Sequence, residues 1–202
     1  MFSGIVEQAG KIVNKKKNGK HITFTIQGKV WEKPLKKGES ISVNGVCLTV
    51  TRILPKNEFV VQVVPETLAQ TTLGELEAKD LVNLERSLAW GDRISGHFVL
   101  GHVDGMGKII QKKKQGKSYS VKISVPDDMI SYLVPKGSIA IDGISLTIQT
   151  MDEKARAITI AIIPHTAGVT TLAKKGIGDS VNLESDVISK HLSQMIKSKG
   201  IA

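Results

Sequence analysis

An eight-residue segment occurs twice in this chain, and this internal repeat constrains the fold more than any other feature. VNGVCLTV occupies residues 43–50 and IDGISLTI occupies residues 141–148, with the apolar, Gly, Leu and Thr positions in step. A fixed long period is the signature of a duplicated structural unit, so a fold assigned to one half must also suit the other. One difference between the copies is chemical, since Cys47 in the first is Ser145 in the second.

Two further matches extend the repeat over nearly the whole chain. VVPETLAQTTLGELEAKDLVNLE, from Val63, aligns with IIPHTAGVTTLAKKGIGDSVNLE, from Ile162, and GIVEQAGKI, from Gly4, aligns with GHVDGMGKI, from Gly101. The offset grows only from 97 to 99 residues, so the halves differ by one or two single-residue insertions. A length of 202 residues with 41% hydrophobic composition suffices for two small cores. The predicted division is residues 1–97 and 98–186 as two domains, followed by residues 187–202 as a separate tail.

The apolar residues of each half recur at period two or in short β-branched runs, which is typical of strands. Asn44-Gly45 and Asp142-Gly143 are strong signals for a type I′ hairpin turn, because both central positions of that turn need positive φ. About six short strands and one short helix in each half predict a small closed barrel, since closure removes exposed strand edges. A β-sandwich is the alternative.

The last residues of the chain break the repeat. SDVISKHLSQMIKSKG carries one apolar stripe at helical spacing, and Gly200 follows the stripe as a stop signal. The first half ends without such a segment, so the barrel pattern leaves this stripe unburied. Two arrangements are open: packing against copies of itself in an oligomer, or packing back on its own barrel. The stripe consists of Val187, Ile188, Leu192, Met195 and Ile196.

Composition narrows the class of protein. The formal charge is +9, but only four of the 28 basic residues are Arg and aromatics are 4%, so the groups typical of nucleic-acid binders are scarce. The runs Lys15–Lys17 and Lys112–Lys114 fall between predicted strands and are interpreted as solvated hairpin tips. We expect a cytoplasmic protein without nucleic-acid or membrane partners, because no secretion signal or long apolar run is present. One cysteine permits no internal disulfide.

Several ordered motifs together resemble one family over essentially the whole chain. MFSGIVE, VNGVCLTV, PETLAQTTLG, SGHFVLGHVDG, IDGISLTI, IPHTAGVTTL and VNLESDV are similar to motifs of the riboflavin synthase family. The resemblance implies an all-β protein with two duplicated six-stranded Greek-key barrels and a C-terminal α-helix through which a homotrimer forms. It also implies a transferase that dismutates two molecules of 6,7-dimethyl-8-ribityllumazine by four-carbon transfer. The products are riboflavin and 5-amino-6-ribitylaminouracil, and the family uses no metal or cofactor.

The reaction of this family suggests why the chain is duplicated. The reaction consumes two identical substrates, and a duplicated barrel offers two similar pockets. In the family the N-terminal barrel of one subunit faces the C-terminal barrel of its neighbour, so two lumazines meet in each site as donor and acceptor. Holding two reactants together lowers a barrier by roughly 7 to 11 kcal/mol in favourable cases. The difference between Cys47 and Ser145 lets two related pockets treat the same molecule unequally.

The chemistry requires groups that pass protons near neutral pH, because one lumazine must lose a proton from its 7-methyl group. His102 is the candidate base, since it matches the family's active-site histidine and aligns with Ile5 in the first half. His97 is also a residue of the family motif and is interpreted as structural. Asp186 matches the family's acidic site residue. It either orients Ser145 or His102 by a hydrogen bond, or caps the C-terminal helix.

The repeated strands supply the remaining candidates. Cys47 and Thr49 are two residues apart, as are Ser145 and Thr147, so each pair faces one side of its strand. Free cysteine is often a buried apolar side chain, so packing and nucleophilic roles are both open to Cys47. The attacking nucleophile is Cys47, Ser145 or water. The catalytic candidates are His102, Cys47, Ser145, Thr147 and Asp186. The substrate-binding candidates implied by the resemblance are Phe2, Ser3, Gly4, Val6, Thr49, Glu66, Thr67, Lys136, Asp142, Pro164, His165 and Thr166.

Two other functions fit part of the pattern. A non-catalytic lumazine- or flavin-binding fluorescent protein has the same fold, and fold alone does not determine function. The enzyme is favoured because the second half keeps IDGISLT, His102 and Asp186, and because the C-terminal helix is present. A ferredoxin-reductase-like flavin domain would need a nucleotide-binding partner domain, and no GxGxxG follows a predicted strand.

Overall fold

The computed structural model describes residues 1–198 and contains two closed six-stranded barrels. The first barrel consists of β1 (Gln8–Asn18), β2 (His21–Gln27), β3 (Ser40–Val43), β4 (Val46–Leu54), β5 (Glu58–Val63) and β6 (Leu81–Arg86). The second consists of β7 (Gly105–Gln115), β8 (Ser118–Ser124), β9 (Ser138–Ile141), β10 (Ile144–Asp152), β11 (Ala157–Ile162) and β12 (Ser180–Ser185). The helices are α1 (Pro65–Gln70), α2 (Pro164–Val169) and α3 (Val187–Ser198). The predicted all-β duplication with a C-terminal helix is confirmed, whereas the predicted stop at Gly200 lies outside the described residues.

Both barrels have the same antiparallel strand order, β1-β2-β5-β4-β3-β6 in the first and β7-β8-β11-β10-β9-β12 in the second. Because each sheet closes on itself, the alternative of an open sandwich is wrong. Asn44 and Gly45 connect β3 to β4 with φ of 47° and 79°, and Asp142 and Gly143 connect β9 to β10 with φ of 47° and 77°. Positive φ at both positions confirms the predicted turns.

The barrel interiors are filled by every second residue of the strands, so the other face of each strand is free for a ligand. Phe24 and Ile26 of β2 are buried in the first core, and Val121 and Ile123 of β8 occupy the same positions in the second. The lysine runs lie towards the ends of the β1–β2 and β7–β8 hairpins, and most of these side chains are exposed.

The two repeats exchange the segments that precede their first strands. These lead-in segments are residues 1–7 before β1 and residues 98–104 before β7. Phe2 and Val99 pair in an antiparallel bridge, with N···O distances of 2.7 and 3.1 Å. The carbonyl of Gly4, from the first repeat, accepts a hydrogen bond from the N–H of Ser145 in β10 at 2.7 Å. The carbonyl of Gly101, from the second repeat, accepts one from Cys47 in β4 at 2.9 Å. Each lead-in segment therefore belongs to one repeat in sequence and lies against a strand of the other repeat, β10 for the first segment and β4 for the second.

Buried side chains follow the same exchange. Val6, from the first repeat, packs in the core of the second barrel, and Val103, from the second repeat, packs against the core of the first. Neither core is complete without the other repeat.

Equivalent hydrogen bonds join the barrels on both sides of a pseudo-twofold axis. Asn83 donates from Nδ2 to the carbonyl of Asp142 at 2.9 Å and accepts at Oδ1 from the N–H of Thr171 at 2.8 Å. Asn182 makes the two equivalent bonds to the first barrel, each at 2.7 Å. Both asparagines are buried, so losing either one leaves unpaired backbone groups in the interface.

Helix α3 lies beside a short 3-10 helix, Asp127–Tyr132, of the second barrel. Its contacts are polar: Lys190 Nζ is 2.6 Å from an Asp104 carboxylate oxygen, and Lys197 Nζ is 5.4 Å from the centre of the Tyr132 ring. The apolar stripe is not buried within the subunit. Its exposed members are Ile188, Leu192, Met195 and Ile196, at 48 to 55% exposure. Across residues 1–198, no helix combines the length and hydropathy needed to cross a membrane.

The contact between the two hairpin turns predicts that Gly45 tolerates no side chain. A Cβ on Gly45 would lie 2.6 Å from the backbone N of Gly143, whereas a Cβ on Gly19, which also has positive φ, would meet nothing within 4 Å. Both alanine variants carry a strain of about 1 to 2 kcal/mol, but Gly45→Ala adds an overpacking cost of about 1 to 3 kcal/mol. Urea denaturation should show the larger loss for Gly45→Ala. Equal losses of unfolding free energy in the two variants would show that the two turns move apart without cost.

Candidate active site

A cavity of about 400 Å³ opens on the outer face of the first barrel. Cys47, Thr49 and Thr51 of β4 line it, because alternate residues of a strand face the same side. Gln62 and Val64, from the end of β5, form the neighbouring wall. The volume is in the range of small-molecule sites, so this face is suited to a ligand of the size of a bicyclic heterocycle. The other lining residues are His21, Leu48 and Thr67.

The equivalent face of the second barrel has the same strands and different side chains. Ser145 and Thr147 of β10 take the places of Cys47 and Thr49 at an offset of 98 residues. The two faces therefore offer different hydrogen-bonding groups to the same ligand. Further replacements along the repeat are His21 by Ser118, Thr51 by Gln149 and Gln62 by Ala161, while Thr67 corresponds to Thr166.

Ser145 forms a side-chain pair with His97. The distance from His97 Nδ1 to Ser145 Oγ is 2.7 Å. The imidazole is 8% exposed, and its Nε2 has no hydrogen-bond partner among residues 1–198. Burial lowers the pKa of His97 below its ordinary value, while the negative charge of Asp186 raises it. A buried neutral imidazole is able to accept the proton of the Ser145 hydroxyl. His97, interpreted from the sequence as structural, is by this geometry a candidate base for Ser145.

His102 lies on the other lead-in segment, beside the first barrel. Gly101 lies against Cys47, and Val103 packs on the core of the first barrel. His102, between them, is exposed. The structure therefore associates His97 with the second barrel and His102 with the first.

Two buried glutamates hold the lead-in segments. Glu85 accepts hydrogen bonds from the N–H of Ser3 at 2.8 Å, the N–H of Gly4 at 3.1 Å and the Ser3 hydroxyl at 3.0 Å. Glu184 accepts the equivalent bonds from the N–H groups of residues 100 and 101, at 2.7 and 3.0 Å. Burial raises the pKa of Glu85 to about 7 and raises the pKa of Glu184, although these hydrogen bonds lower both.

The remaining candidates from the N-terminal segment have different positions. Phe2 is fully buried with Val99 and Ala140, and Cys47 packs against this group. Ser3 and Gly4 are buried in the hydrogen bonds described above, and Val6 lies in the core of the second barrel. Among these residues, the structure brings Phe2 close to Cys47 and Gly4 close to Ser145, and gives Val6 a packing position.

Asp142, Lys136 and Asp186 also differ in position. Asp142 is fully buried between the barrels, where it accepts from the N–H of Asn182 at 2.8 Å and pairs with Lys175 at 3.0 Å. Lys136 lies exposed in the turn before β9, with φ of 68°. Asp186 Oδ1 accepts from the N–H of Ile188 at 2.9 Å, so it caps α3 in addition to its electrostatic effect on His97. Asp142 is thus an interface residue and does not face the cavity described above.

The candidates on α1 and α2 occupy equivalent positions at the two helix starts. Glu66, Pro164 and His165 are exposed, while Thr67 and Thr166 are partly buried, and Thr67 lines the cavity of the first face. His165 takes the place of Glu66 in the repeat, so the rim of the second face differs in charge from that of the first.

Comparison with known proteins places these features in a family. A model of the lumazine-binding domain matches residues 3–87 and residues 100–186. The riboflavin synthase of Actinobacillus pleuropneumoniae is 42% identical over 199 residues, which cover 98% of this chain and 91% of that protein. The chain belongs to the riboflavin synthase family. A second member, from Bacillus subtilis strain 168, is 41% identical over 196 residues, covering 97% of this chain and 90% of the relative.

Solved structures also match this riboflavin synthase family member over nearly its full length. LumP in complex with riboflavin has a TM-score of 0.84 and 28% sequence identity, covering 92% of this chain and 99% of that chain. LumP in complex with 6,7-dimethyl-8-(1'-D-ribityl) lumazine has a TM-score of 0.82 and 27% identity, with the same coverage. LumP in these two structures therefore holds riboflavin and a ribityllumazine, which are ligands of the kind that the family resemblance implies.

Several residues of the site were not identified from the sequence as candidates. His21 and Gln62 line the cavity because of strand alternation, which is visible in the pattern of β2 and β5. Glu85 and Glu184 end the repeated VNLE motif, and this repetition is the signal that points to them. The pairing of His97 with Ser145 joins residues 48 positions apart, and no periodicity indicates it.

The buried carboxyl group of Glu85 predicts a pH-dependent stability. Its pKa is raised from 4.5 to about 7, so between these values the folded chain keeps a proton that the unfolded chain releases. This contribution to the free energy of unfolding is present below pH 4.5 and lost as the pH rises to about 7, and it amounts to about 3 kcal/mol. Thermal unfolding from about pH 5 to pH 8 should show a steeper loss in the wild type than in Glu85→Gln. Parallel curves would contradict this assignment.

Proposed function

We propose that this protein is a riboflavin synthase, a transferase that converts two molecules of 6,7-dimethyl-8-ribityllumazine into riboflavin and 5-amino-6-ribitylaminouracil. The observation that carries the proposal is the 42% identity to a riboflavin synthase across nearly the whole chain. The duplicated barrel supports it, since one lumazine donates a four-carbon unit and the other accepts it. Each barrel then supplies one binding face, and the unequal side chains of the faces distinguish donor from acceptor.

The second face supplies the clearest proton-transfer group. Ser145 Oγ, hydrogen-bonded to neutral His97, passes a proton between the bound lumazine and the imidazole. Asp186 stabilises the imidazolium that forms, because its charge favours the protonated ring. Thr147 faces the same side of β10 as Ser145 and offers a second hydroxyl to the ligand.

The first face holds its lumazine in the 400 Å³ cavity. Cys47 and Thr49 of β4 and Thr67 of α1 line this cavity. His102 is exposed on the exchanged segment, next to Gly101, which lies against Cys47, and in this proposal it acts as the acid or base for this molecule. Substrate contacts by Glu66, Lys136, Pro164, His165 and Thr166 stay predictions that follow from the resemblance.

We propose that three subunits associate through α3 in the cytoplasm. The exposed Ile188, Leu192, Met195 and Ile196 support this, because three copies of one apolar stripe bury one another around a threefold axis. The first barrel of one subunit then faces the second barrel of the next, and a shared site holds two lumazines. The proposed division of the chain is residues 1–97, 98–186 and 187–202.

A non-catalytic binding protein is the second candidate function, because LumP has the same fold with a TM-score of 0.84. The 28% identity to LumP is lower than the 42% identity to the enzyme, which favours catalysis. Incubation of the purified protein with the lumazine alone distinguishes the two functions. An enzyme forms riboflavin and the ribitylaminouracil in equal amounts, whereas a binding protein retains the lumazine unchanged.

Replacement of either site histidine should lower turnover while ligand binding persists. His97→Gln removes the base paired with Ser145, and His102→Gln removes the exposed imidazole next to Gly101. A positioned acid or base contributes about 100-fold or more, so kcat should fall by that factor in each variant. Steady-state kinetics and lumazine fluorescence titration measure the two quantities. The exposed Lys154, in the turn between β10 and β11, serves as a control, since Lys154→Gln should keep the normal rate. A normal rate for one site variant would remove that histidine from the mechanism.

Removal of the chain from Val187 onward should leave both barrels folded and abolish most activity. Neither barrel needs α3 to complete its strands, and the polar contacts of α3 are the weak kind found at surfaces. The subunits should separate, and the two faces would no longer be held together. Sedimentation of the truncated chain alongside a riboflavin assay provides the test. A monomeric and fully active truncated chain would place both substrates within one subunit.

A further inference from the structure

The buried glutamates Glu85 and Glu184 connect the two barrels crosswise. We propose that each is a positioning residue for the opposite barrel: Glu184 fixes the Cys47 face of the first barrel, and Glu85 fixes the His97–Ser145 pair of the second. The effect of this arrangement on turnover rests on the proposed function. The arrangement itself does not.

The hydrogen bonds of Glu184 lead to Cys47 in two steps. Its carboxylate accepts the N–H groups of Leu100 and Gly101, and the Gly101 carbonyl accepts the N–H of Cys47 at 2.9 Å. Gly101 has φ of 79°, and a Cβ on it would lie 2.6 Å from the Cys47 Cβ, so this backbone lies directly on the cysteine. The next residue is His102. Glu184 therefore sets how closely the exchanged segment covers Cys47 and where His102 leaves it.

The hydrogen bonds of Glu85 lead to both members of the histidine–serine pair. Its carboxylate accepts the N–H groups of Ser3 and Gly4. The Ser3 carbonyl accepts the N–H of His97 at 3.1 Å, and the Gly4 carbonyl accepts the N–H of Ser145 at 2.7 Å. The dipeptide Ser3-Gly4 thus bonds to the backbones of both His97 and Ser145, whose side chains are 2.7 Å apart. Glu85, from the first barrel, holds this dipeptide.

The use of a carboxylate follows from the number of donors. Two consecutive N–H groups point to the two oxygens of each glutamate, and Glu85 and Glu184 are only 4% and 3% exposed. A glutamine has the same shape but one acceptor, and its NH₂ group would face the second N–H without forming a bond. A buried donor left in this state is unfavourable, so the lead-in segment would shift. Glu184 is not among the residues that line the 400 Å³ cavity, so it acts on that face through the segment.

The chemical reactivity of Cys47 tests the first half of the proposal, because it is the only cysteine of the chain. The rate of alkylation by iodoacetamide should rise several-fold in Glu184→Gln, since release of the segment uncovers the thiol. The rate should rise less in Glu85→Gln, because Glu85 holds residues 3 and 4 and reaches Cys47 only through the packing of Phe2. Measurement at about pH 8 keeps the Glu85 carboxyl group largely ionised, given its pKa of about 7. Equal rates in the two variants would overturn the crosswise assignment.

The ring signals of His97 and His102 in nuclear magnetic resonance spectra test the second half. Glu85→Gln should shift the His97 signals and leave those of His102 in place, and Glu184→Gln should do the reverse. Both variants should lower kcat while a fluorescence titration shows retained lumazine binding. Shifts of the same histidine in both variants would overturn the proposal.

Asp179→Asn is the matched control, because Asp179 also accepts a backbone N–H, from Gly176 at 2.8 Å, but at an exposed site. It should change neither the alkylation rate nor the histidine signals.

Where a glutamine variant does not fold, Glu184→Asp and Glu85→Asp replace it, since they keep the charge but are one methylene too short to reach the backbone N–H groups. Alkylation and ring signals do not require turnover. A wild type that forms no riboflavin would therefore overturn the proposed function. The alkylation rates and ring signals would still decide whether the crosswise arrangement is correct.

Discussion

The exchange of lead-in segments between the repeats is the constraint on which the rest of the structure depends. Main-chain hydrogen bonds from Ser145 N–H to the Gly4 carbonyl and from Cys47 N–H to the Gly101 carbonyl join each repeat to β4 or β10 of the other. These bonds fix the relative position of the barrels and lay the backbone of Gly4 on Ser145 and that of Gly101 on Cys47. His97 contacts Ser145, and His102 follows Gly101 directly in the chain. Because the partners are backbone groups, the geometry does not depend on the identity of the side chains, which leaves Cys47 and Ser145 free to differ.

The resulting sites are similar in framework and different in electrostatics. One face has a thiol, an exposed imidazole and a cavity lined by His21 and Gln62. The other has a hydroxyl bonded to a buried imidazole whose pKa is lowered by burial. A reaction between two copies of one molecule requires that the copies be treated unequally, and an imperfect duplication provides this inequality on two rigid barrels.

The fold was predictable from the sequence, whereas the connections between the halves were not. The repeat, the strand alternation and the turns at Asn44 and Asp142 are local signals, and all of them lie in the structure as predicted. The family resemblance made Asp142 a substrate-binding candidate, and the structure buries it between the barrels with Asn182 and Lys175. Local reasoning missed the contact of His97 with Ser145, because a segment that crosses to the other repeat leaves no periodic pattern. Gly4 and Val6 show this most clearly, since one bonds to Ser145 and the other packs in the core of the second barrel.

The interface between the hairpin turns has a consequence for how such a chain can arise. Gly45 meets Gly143, and Asn83 and Asn182 make the same bonds in opposite directions. A contact that pairs equivalent residues is one that two identical polypeptides form as a symmetric dimer. In such a dimer every substitution occurs twice, so its two ligand faces must remain identical. Joining the copies in one polypeptide removes that restriction, and only then can one face acquire a thiol while the other acquires a hydroxyl paired with an imidazole.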